Sequence, residues 1–218
     1  MDTAKARKHM VDSQVRPNNV TSIPLQTAMA TIPRERFVPA DKKAFAYAEQ
    51  DVPLFDGRWL LKARDFSKMI NDTAIGPDDV VLDVACGYGY STAVLSHLAG
   101  VVIGIEDDPA VVEAASNRLS ALDLETAVII EGDLTLGSEK QGPFDVIVIA
   151  GGVQAGIETL KEQLNPNGGR LVTIFENDRV GTATLIKRTG DAFGERQLFE
   201  AHPAGVIPAF RAPSGFAF

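Results

Sequence analysis

The segment VVLDVACGYGYSTAVL (residues 80–95) decides the fold of this chain. Its first six residues form a short apolar run with one acid inside it, a pattern that predicts a buried β-strand. A glycine-containing turn follows and leads into a helical pattern. Because Gly87 and Gly89 carry no Cβ, a ligand can lie against the backbone there. The N-terminus of the following helix favours a negatively charged group, so the segment predicts a strand–turn–helix ligand site.

Short apolar runs alternate with helical segments from residue 79 onwards, which is typical of a parallel sheet with helices on both faces. The strand-like runs are residues 80–85, 101–106, 127–133, 144–150 and 169–175, and the helical segments between them are 89–99, 109–122 and 155–164. Two further strand-like runs, 182–189 and 195–201, flank the connection GDAFG and predict an antiparallel hairpin. The sequence therefore predicts an α/β fold: a doubly wound, mostly parallel seven-stranded sheet with a C-terminal antiparallel hairpin.

Residues 1–75 have a different pattern, with helical segments separated by prolines. The predicted helices span 3–15, 22–31 with Ser22 as N-cap, and 62–74, and the chain from 37 to 55 is predicted to be irregular. We expect an N-terminal helical segment (1–75) that packs on an α/β core (76–218), the two forming a single globular unit. The tail VIPAFRAPSGFAF (206–218), broken by proline and glycine, predicts a strap over the surface.

The composition excludes several classes of function. The formal net charge is −8 and no run of lysine and arginine occurs, so a nucleic-acid partner is not expected. Cys86 is the single cysteine, which rules out an internal disulfide. No stretch of about 18 apolar residues is present, so no membrane span is expected. With an N-terminus that lacks an apolar signal-peptide core, these features favour a cytoplasmic protein. They do not predict its oligomeric state.

Acidic residues accompany three successive predicted strands: Asp83, Glu106 and Asp133. A carboxylate at the end of the second strand can accept hydrogen bonds from both hydroxyls of a ribose. A dinucleotide-dependent oxidoreductase is one alternative, but its G-x-G-x-x-G fingerprint, read from Gly87, lacks the third glycine. An acid inside the strand is also not part of that fingerprint. Three carboxylates at successive strands would be costly in a core, but they suit a polar cofactor.

Nucleophilic and metal chemistry have weaker support. Cys86 lies in the turn, but no histidine is near it in the sequence, which favours a small buried filler over a nucleophile. His9, His97 and His202 are scattered along the chain, so no metal site is predicted.

An acid two residues before a small-x-Gly-x-Gly turn resembles motif I of class I S-adenosylmethionine-dependent methyltransferases. The flanking segments narrow the resemblance to the protein-L-isoaspartate O-methyltransferase family. They are HMVDSQVRPNNV (9–20), ATIPRERFVPADKKAFAYAEQDVPL (30–54), IGIEDDP (103–109), GDL (132–134), GPFDVIVIAGG (142–152) and LNPNGGRLV (164–172). The resemblance covers about residues 5–200, and the N-terminal block is its most specific part.

This resemblance implies a Rossmann-like methyltransferase fold, S-adenosyl-L-methionine as cofactor and S-adenosyl-L-homocysteine as product. It also implies a role in protein repair, by methylation of an isoaspartyl carboxylate in a damaged protein or peptide. In the family, the motif I acid acts near the cofactor's amino group and the acid of the GD pair contacts adenine. The residues expected to bind the cofactor are Asp83, Ala85, Cys86, Gly87, Tyr88, Gly89, Glu106, Asp107, Asp133, Leu134 and Ala150.

The acceptor loop departs from the family pattern. The family has a loop of the form G-x-G-Q-T-I-S-Q-P, whose threonine and serine face the substrate and cofactor. Counted from Gly57, its glutamine is Arg58 here, its threonine Trp59 and its serine Leu61. These three residues are the acceptor-loop candidates. The sequence identifies no catalytic residue. Arg58, Lys62 or Arg64 could supply positive charge for an anionic acceptor. Two functions remain open: a methyltransferase with a diverged acceptor site, or a cofactor-binding homologue without isoaspartyl activity.

Overall fold

The alternation of apolar runs and helical segments produces nine β-strands and six α-helices in the computed structural model, which describes residues 2–176 and 180–213. The helices are Thr3–Met10 (α1), Ile23–Thr31 (α2), Ala63–Thr73 (α3), Tyr90–Leu95 (α4), Pro109–Ser120 (α5) and Glu158–Glu162 (α6). The strands are Val52–Phe55 (β1), Arg58–Leu60 (β2), Val80–Val84 (β3), Val101–Glu106 (β4), Ala127–Glu131 (β5), Val146–Val153 (β6), Asn167–Glu176 (β7), Gly181–Thr189 (β8) and Ala192–Ala201 (β9).

Seven of these strands form one sheet in the order β5-β4-β3-β6-β7-β8-β9. The five strands from β3 to β7 are parallel, whereas β8 and β9 pair antiparallel at one edge. This confirms the predicted doubly wound sheet and its C-terminal hairpin. The strand order reverses between β3 and β6, and such a switch point is where open α/β sheets bind ligands.

Alternating residues of each strand contribute to two separate apolar clusters, one on each face of the sheet. Val81 of β3 belongs to a cluster that includes Met10, Leu25 and Phe37 from the N-terminal segment. Leu82, on the opposite face, belongs to a cluster with residues of α6 and the C-terminal segment. The helices of the N-terminal segment therefore share one continuous core with the sheet.

Local signals account for several helix boundaries. The Ser22 hydroxyl accepts a hydrogen bond from the Leu25 N–H at 3.3 Å, which confirms the predicted N-cap of α2. The first predicted helix continues beyond α1 through a wide turn at Val11–Val15 and a 3₁₀ turn at Arg16–Asn18. It ends at Asn19, whose left-handed conformation (φ 60°) stops the helix.

A two-stranded hairpin within residues 52–60 was not predicted from the sequence. β1 and β2 pair antiparallel around Asp56-Gly57, and Gly57 has a φ of 66° that suits the turn. Strands of four and three residues are too short to show a periodic pattern, which explains why β1 fell within the segment predicted to be irregular and β2 was not predicted.

The C-terminal region differs from its prediction in two respects. The turn of the hairpin is only Gly190-Asp191, because residues 192–194 of the predicted connection belong to β9. The predicted strap is partly inserted into the fold: Phe210 is fully buried, and the Ile207 N–H donates to the Gly152 carbonyl at 2.9 Å. Residues 214–218 of the strap lie outside the described residues. None of the described helices is long and apolar enough to cross a membrane.

We expect Phe37→Ala to lower the free energy of unfolding by about 3–5 kcal/mol, because a fully buried ring is removed from the shared core. The matched control Phe45→Ala removes a ring that is 48% exposed, and should change it by less than about 0.5 kcal/mol. Denaturant unfolding followed by far-UV and near-UV circular dichroism measures both values. Separate transitions for the N-terminal segment and the sheet would contradict a common core.

Candidate cofactor site and acceptor loop

The turn between β3 and α4 lies beside the switch point of the sheet. Ala85, Gly87 and Gly89 have positive φ angles of 60°, 59° and 89°. A Cβ on Gly87 would lie 2.9 Å from Leu54 Cδ1, so Leu54 of the hairpin packs directly on this glycine. Ala85 adopts the left-handed conformation at a cost of about 1 kcal/mol or more, a kind of strain that concentrates at functional sites.

Asp83 is fully buried beneath this turn. Its Oδ2 accepts a hydrogen bond from the Thr92 hydroxyl at 2.7 Å, whereas Oδ1 has no hydrogen-bond partner among the described residues. Burial raises the pKa of Asp83 to about 7, and the nearby hydroxyls of Ser91 and Thr92 partly offset this effect. An unsatisfied buried carboxylate oxygen is costly, and a cationic ligand group would satisfy it.

Glu106, at the end of β4, is also fully buried but has a complete set of partners. The Arg58 guanidinium binds both of its oxygens, with a distance of 2.9 Å from Nη1 to Oε2 and a second, shorter contact from Nη2 to Oε1. The Gly87 N–H donates to Oε1. This bidentate pair, with Arg58 only 5% exposed, links the unpredicted hairpin to the turn.

The space between the hairpin and the turn is small. A cavity of about 20 Å³ remains there, bordered by residues of both, including Leu54, Arg58, Leu61 and Gly87. That volume holds about one water molecule, whereas ligand pockets commonly measure about 300–1,000 Å³. The carboxylates suit a ligand with a cationic group and hydroxyl groups, but in this structure Leu54 and Arg58 fill the space that such a ligand needs.

The remaining predicted acids lie further out along the same edge of the sheet. Asp107 and Asp133 are exposed. Asp133 Oδ1 accepts from the Thr135 hydroxyl and from the N–H groups of Thr135 and Leu136, and the Thr135 hydrogen bonds hold the pKa of Asp133 below its usual value. The Leu134 side chain is buried in the opposite apolar cluster, so only its backbone is available to a ligand.

The other predicted site residues are neighbours of the turn. Ala150, within β6, and Cys86 border the small cavity. Burial raises the pKa of the Cys86 thiol well above its usual value, which supports the interpretation as a filler. The half-buried Tyr88 packs against Phe55 of the hairpin, with ring centroids 5.4 Å apart. Among residues 2–176 and 180–213, no group of three or more histidine, cysteine or acidic residues is arranged to hold a metal ion.

Comparison with known proteins identifies the family to which this site belongs. A family model described as Protein-L-isoaspartate(D-aspartate) O-methyltransferase (PCMT) matches residues 5–201. The chain belongs to this family. This confirms the resemblance inferred from motif I and the N-terminal block.

Curated relatives in the PCMT family match nearly the whole chain. The Protein-L-isoaspartate O-methyltransferase of Methylorubrum populi is 36% identical over 209 residues, which cover 96% of this chain and 97% of that protein. The protein of the same name from Methylorubrum extorquens is 32% identical over 210 residues, covering 96% and 90%. A solved structure named protein-L-isoaspartate O-methyltransferase has a TM-score of 0.80 over 94% of this chain and 67% of that chain, at 21% identity, which shows the same fold.

The three acceptor-loop candidates have different environments in this PCMT family member. Arg58 is buried on Glu106, as described above. Trp59 is 39% exposed, and its indole nitrogen would lie 3.5 Å from a Cβ on Gly205 of the C-terminal segment. Leu61 is 3% exposed and belongs to the apolar core. Leu61 therefore contributes mainly to packing, Arg58 is held by an ion pair, and of the three only Trp59 is exposed.

Sequence reasoning missed the residue that holds this loop in place. Arg34 is fully buried, and its Nη2 and Nε donate to the carbonyls of Leu61 and Ala46, both at 2.7 Å. Its guanidinium carbon lies 4.6 Å from the centre of the Tyr90 ring. The sequence offered one signal for Arg34: it is a charged residue within the N-terminal block that carries the family resemblance. Its partners are backbone carbonyls, which no sequence pattern reveals.

We expect Asp83→Asn to gain stability relative to the wild type as the pH rises. Because the pKa of Asp83 is about 7 in the folded protein and near 3.8 in the unfolded chain, unfolding releases a proton between these values. The contribution of Asp83 is fully present below about pH 4 and is lost as the pH rises through 7. The expected relative change is a few kcal/mol, at about 1.4 kcal/mol per pKa unit.

Urea unfolding at several pH values measures this difference. The control Asp133→Asn alters an exposed acid whose pKa is lowered, so the contribution of Asp133 is lost only at acid pH and its difference from wild type should be flat between about pH 5 and pH 8. A flat difference for Asp83→Asn over the same range would show that Asp83 is ionised throughout.

Proposed function

We propose that this chain is an S-adenosylmethionine-dependent methyltransferase that esterifies the side-chain α-carboxylate of isoaspartyl residues in damaged proteins. Membership of the PCMT family supports this proposal. The observation that carries it is the buried Asp83 beneath the glycine turn, with one oxygen that lacks a partner among the described residues. A cationic amino group is the partner that such an oxygen favours.

The proposed cofactor contacts follow the strand ends. Asp83 would hold the amino group of the cofactor and Glu106 its ribose hydroxyls, while Asp133 and the backbone of Leu134 would contact the adenine. The turn and its neighbours would complete the site; these residues are Ala85, Cys86, Gly87, Tyr88, Gly89, Asp107 and Ala150. The positions of these residues around one switch point support the assignment.

The proposed reaction does not require acid–base catalysis by the protein. When bound, S-adenosylmethionine supplies a methyl group and leaves a neutral thioether as the acceptor carboxylate becomes an ester. Because a carboxylate is already deprotonated at neutral pH, no general base is needed. The residues of this chain therefore act by positioning the acceptor, balancing its charge and excluding water.

The proposed substrate is a protein or peptide that carries an isoaspartyl group. We extend the proposal to a cytoplasmic location, which the single cysteine of the chain supports because no internal disulfide can form.

A second candidate function is cofactor binding without isoaspartyl activity. The observation that favours it is the acceptor loop, where Trp59 and the core residue Leu61 stand in place of the two hydroxyls that the family resemblance implies. This candidate predicts binding of S-adenosylhomocysteine without methyl transfer to an isoaspartyl peptide.

We expect the protein to transfer a radiolabelled methyl group from S-adenosylmethionine to an isoaspartyl peptide, and not to the same peptide with a normal aspartate. The product should be a base-labile ester, since the acceptor is a carboxylate. Binding of S-adenosylhomocysteine with no ester on either peptide would favour the second candidate. Binding of NAD with no binding of S-adenosylhomocysteine would overturn both candidates.

We expect Asp83→Asn to weaken binding of S-adenosylhomocysteine by about tenfold or more, as is typical for loss of a hydrogen bond to a charged group. Wild-type affinity should rise as the pH passes through about 7, because the deprotonated Asp83 attracts the amino group, and the variant should not show this rise. Isothermal titration calorimetry from about pH 6 to pH 8 measures both effects. Asp123→Asn, an exposed acid in a loop, is the control and should behave as wild type.

A further inference from the structure

We propose that Arg58 recognises the carboxylate of the acceptor, and that Glu106 holds Arg58 until the cofactor's ribose takes Glu106 over. This inference rests on the proposed function, since it uses Glu106 as the ribose contact and a carboxylate as the acceptor. It assigns to one arginine two successive carboxylate partners.

The first step is a competition for Glu106. Three hydrogen bonds already reach its carboxylate, two from Arg58 and one from the Gly87 N–H. A carboxylate offers about four lone-pair sites. The remaining cavity of about 20 Å³ has room for about one water molecule. A ribose cannot reach Glu106 while Arg58 and Leu54 stay in place, so the arginine and the cofactor exclude each other.

The second step is the movement of the hairpin that carries Arg58. Residues 52–60 form a separate two-stranded sheet, whose strands do not pair with the seven-stranded sheet. The base of the hairpin is anchored in the apolar core through the paired residues Val52 and Leu60. Asp51 accepts from the Lys62 N–H at 2.8 Å and from the Ala204 N–H at 2.7 Å, while Arg34 binds the Leu61 carbonyl. The hairpin can therefore tilt about a fixed base and remain at the mouth of the site.

The third step is the fate of the released guanidinium. A cation displaced from its carboxylate at a buried site is costly until it finds another anion. Arginine binds carboxylates bidentately, and in this structure Arg58 already does so. The acceptor carboxylate is the anion that arrives next, so cofactor binding prepares the acceptor site.

The other basic residues of this loop do not fit the role. Lys62 pairs with the buried Asp65 at 3.1 Å. Arg64 donates to the Asn18 side chain at 3.2 Å. Neither partner is one of the proposed cofactor contacts, so binding of the cofactor releases neither residue. Arg58 is the basic residue of this loop whose partner the cofactor is proposed to take.

Calorimetry on the full-length protein tests the inference with S-adenosylhomocysteine and an isoaspartyl peptide. The peptide should bind wild type about tenfold more tightly when S-adenosylhomocysteine is present, and by linkage the reverse coupling is equal. Arg58→Gln should bind S-adenosylhomocysteine several-fold more tightly than wild type, because no ion pair is displaced. It should bind the peptide about tenfold more weakly in the presence of S-adenosylhomocysteine and lose the coupling.

Two further variants keep the test decisive. Glu106→Gln removes the negative charge that holds Arg58, so the peptide should bind this variant without S-adenosylhomocysteine. This result can be obtained even if Arg58→Gln fails to fold. Arg196→Gln removes an exposed arginine that pairs with Asp72 at 3.0 Å, and should match wild type in every titration.

Equal or weaker binding of S-adenosylhomocysteine by Arg58→Gln would overturn the competition. Equal binding of the peptide by wild type and Arg58→Gln, both with S-adenosylhomocysteine present, would overturn the role of Arg58 in acceptor recognition. A wild type that binds S-adenosylhomocysteine but not the peptide would overturn the proposed substrate and that role together. The comparison of S-adenosylhomocysteine affinities decides the competition in either case.

Discussion

A fully buried carboxylate, that of Glu106 at the end of β4, needs a cation or several hydrogen-bond donors. Arg58 and the Gly87 N–H supply them, and this requirement draws the β1–β2 hairpin onto the glycine turn. Leu54 is carried with the hairpin and packs on Gly87. The closed shape of the site is thus a consequence of satisfying one buried charge.

The two acids of the site illustrate opposite solutions to burial. Glu106 is neutralised by an internal partner, whereas Asp83 keeps one oxygen without a hydrogen bond in the described structure, and its pKa is raised to about 7 by burial. The unsatisfied acid favours binding of an external cation, and the satisfied one resists binding of anything else. Access to the site therefore depends on the position of Arg58, which binds Glu106.

The acceptor loop and the hairpin are held by segments far apart in the chain. Arg34 in the N-terminal segment holds the loop carbonyl of Leu61, and Asp51 joins the base of the hairpin to Ala204 near the C-terminus. Because backbone groups are fixed at both ends, the loop has a defined position even though it lacks the hydroxyl side chains that the family resemblance implies. Hydrogen bonds to backbone groups, together with packing, thereby place this loop.

The sequence by itself determined the strands of the mostly parallel sheet, the glycine turn and the acids that accompany three strands, because strand periodicity and glycine turns are local signals that survive without tertiary context. It also determined the family, through the motif order and the N-terminal block. Only the tertiary structure decided that Arg58 pairs with Glu106 and that Leu61 belongs to the core. The hairpin strands are too short for a pattern, and a contact across 48 residues depends on which buried charge must be satisfied.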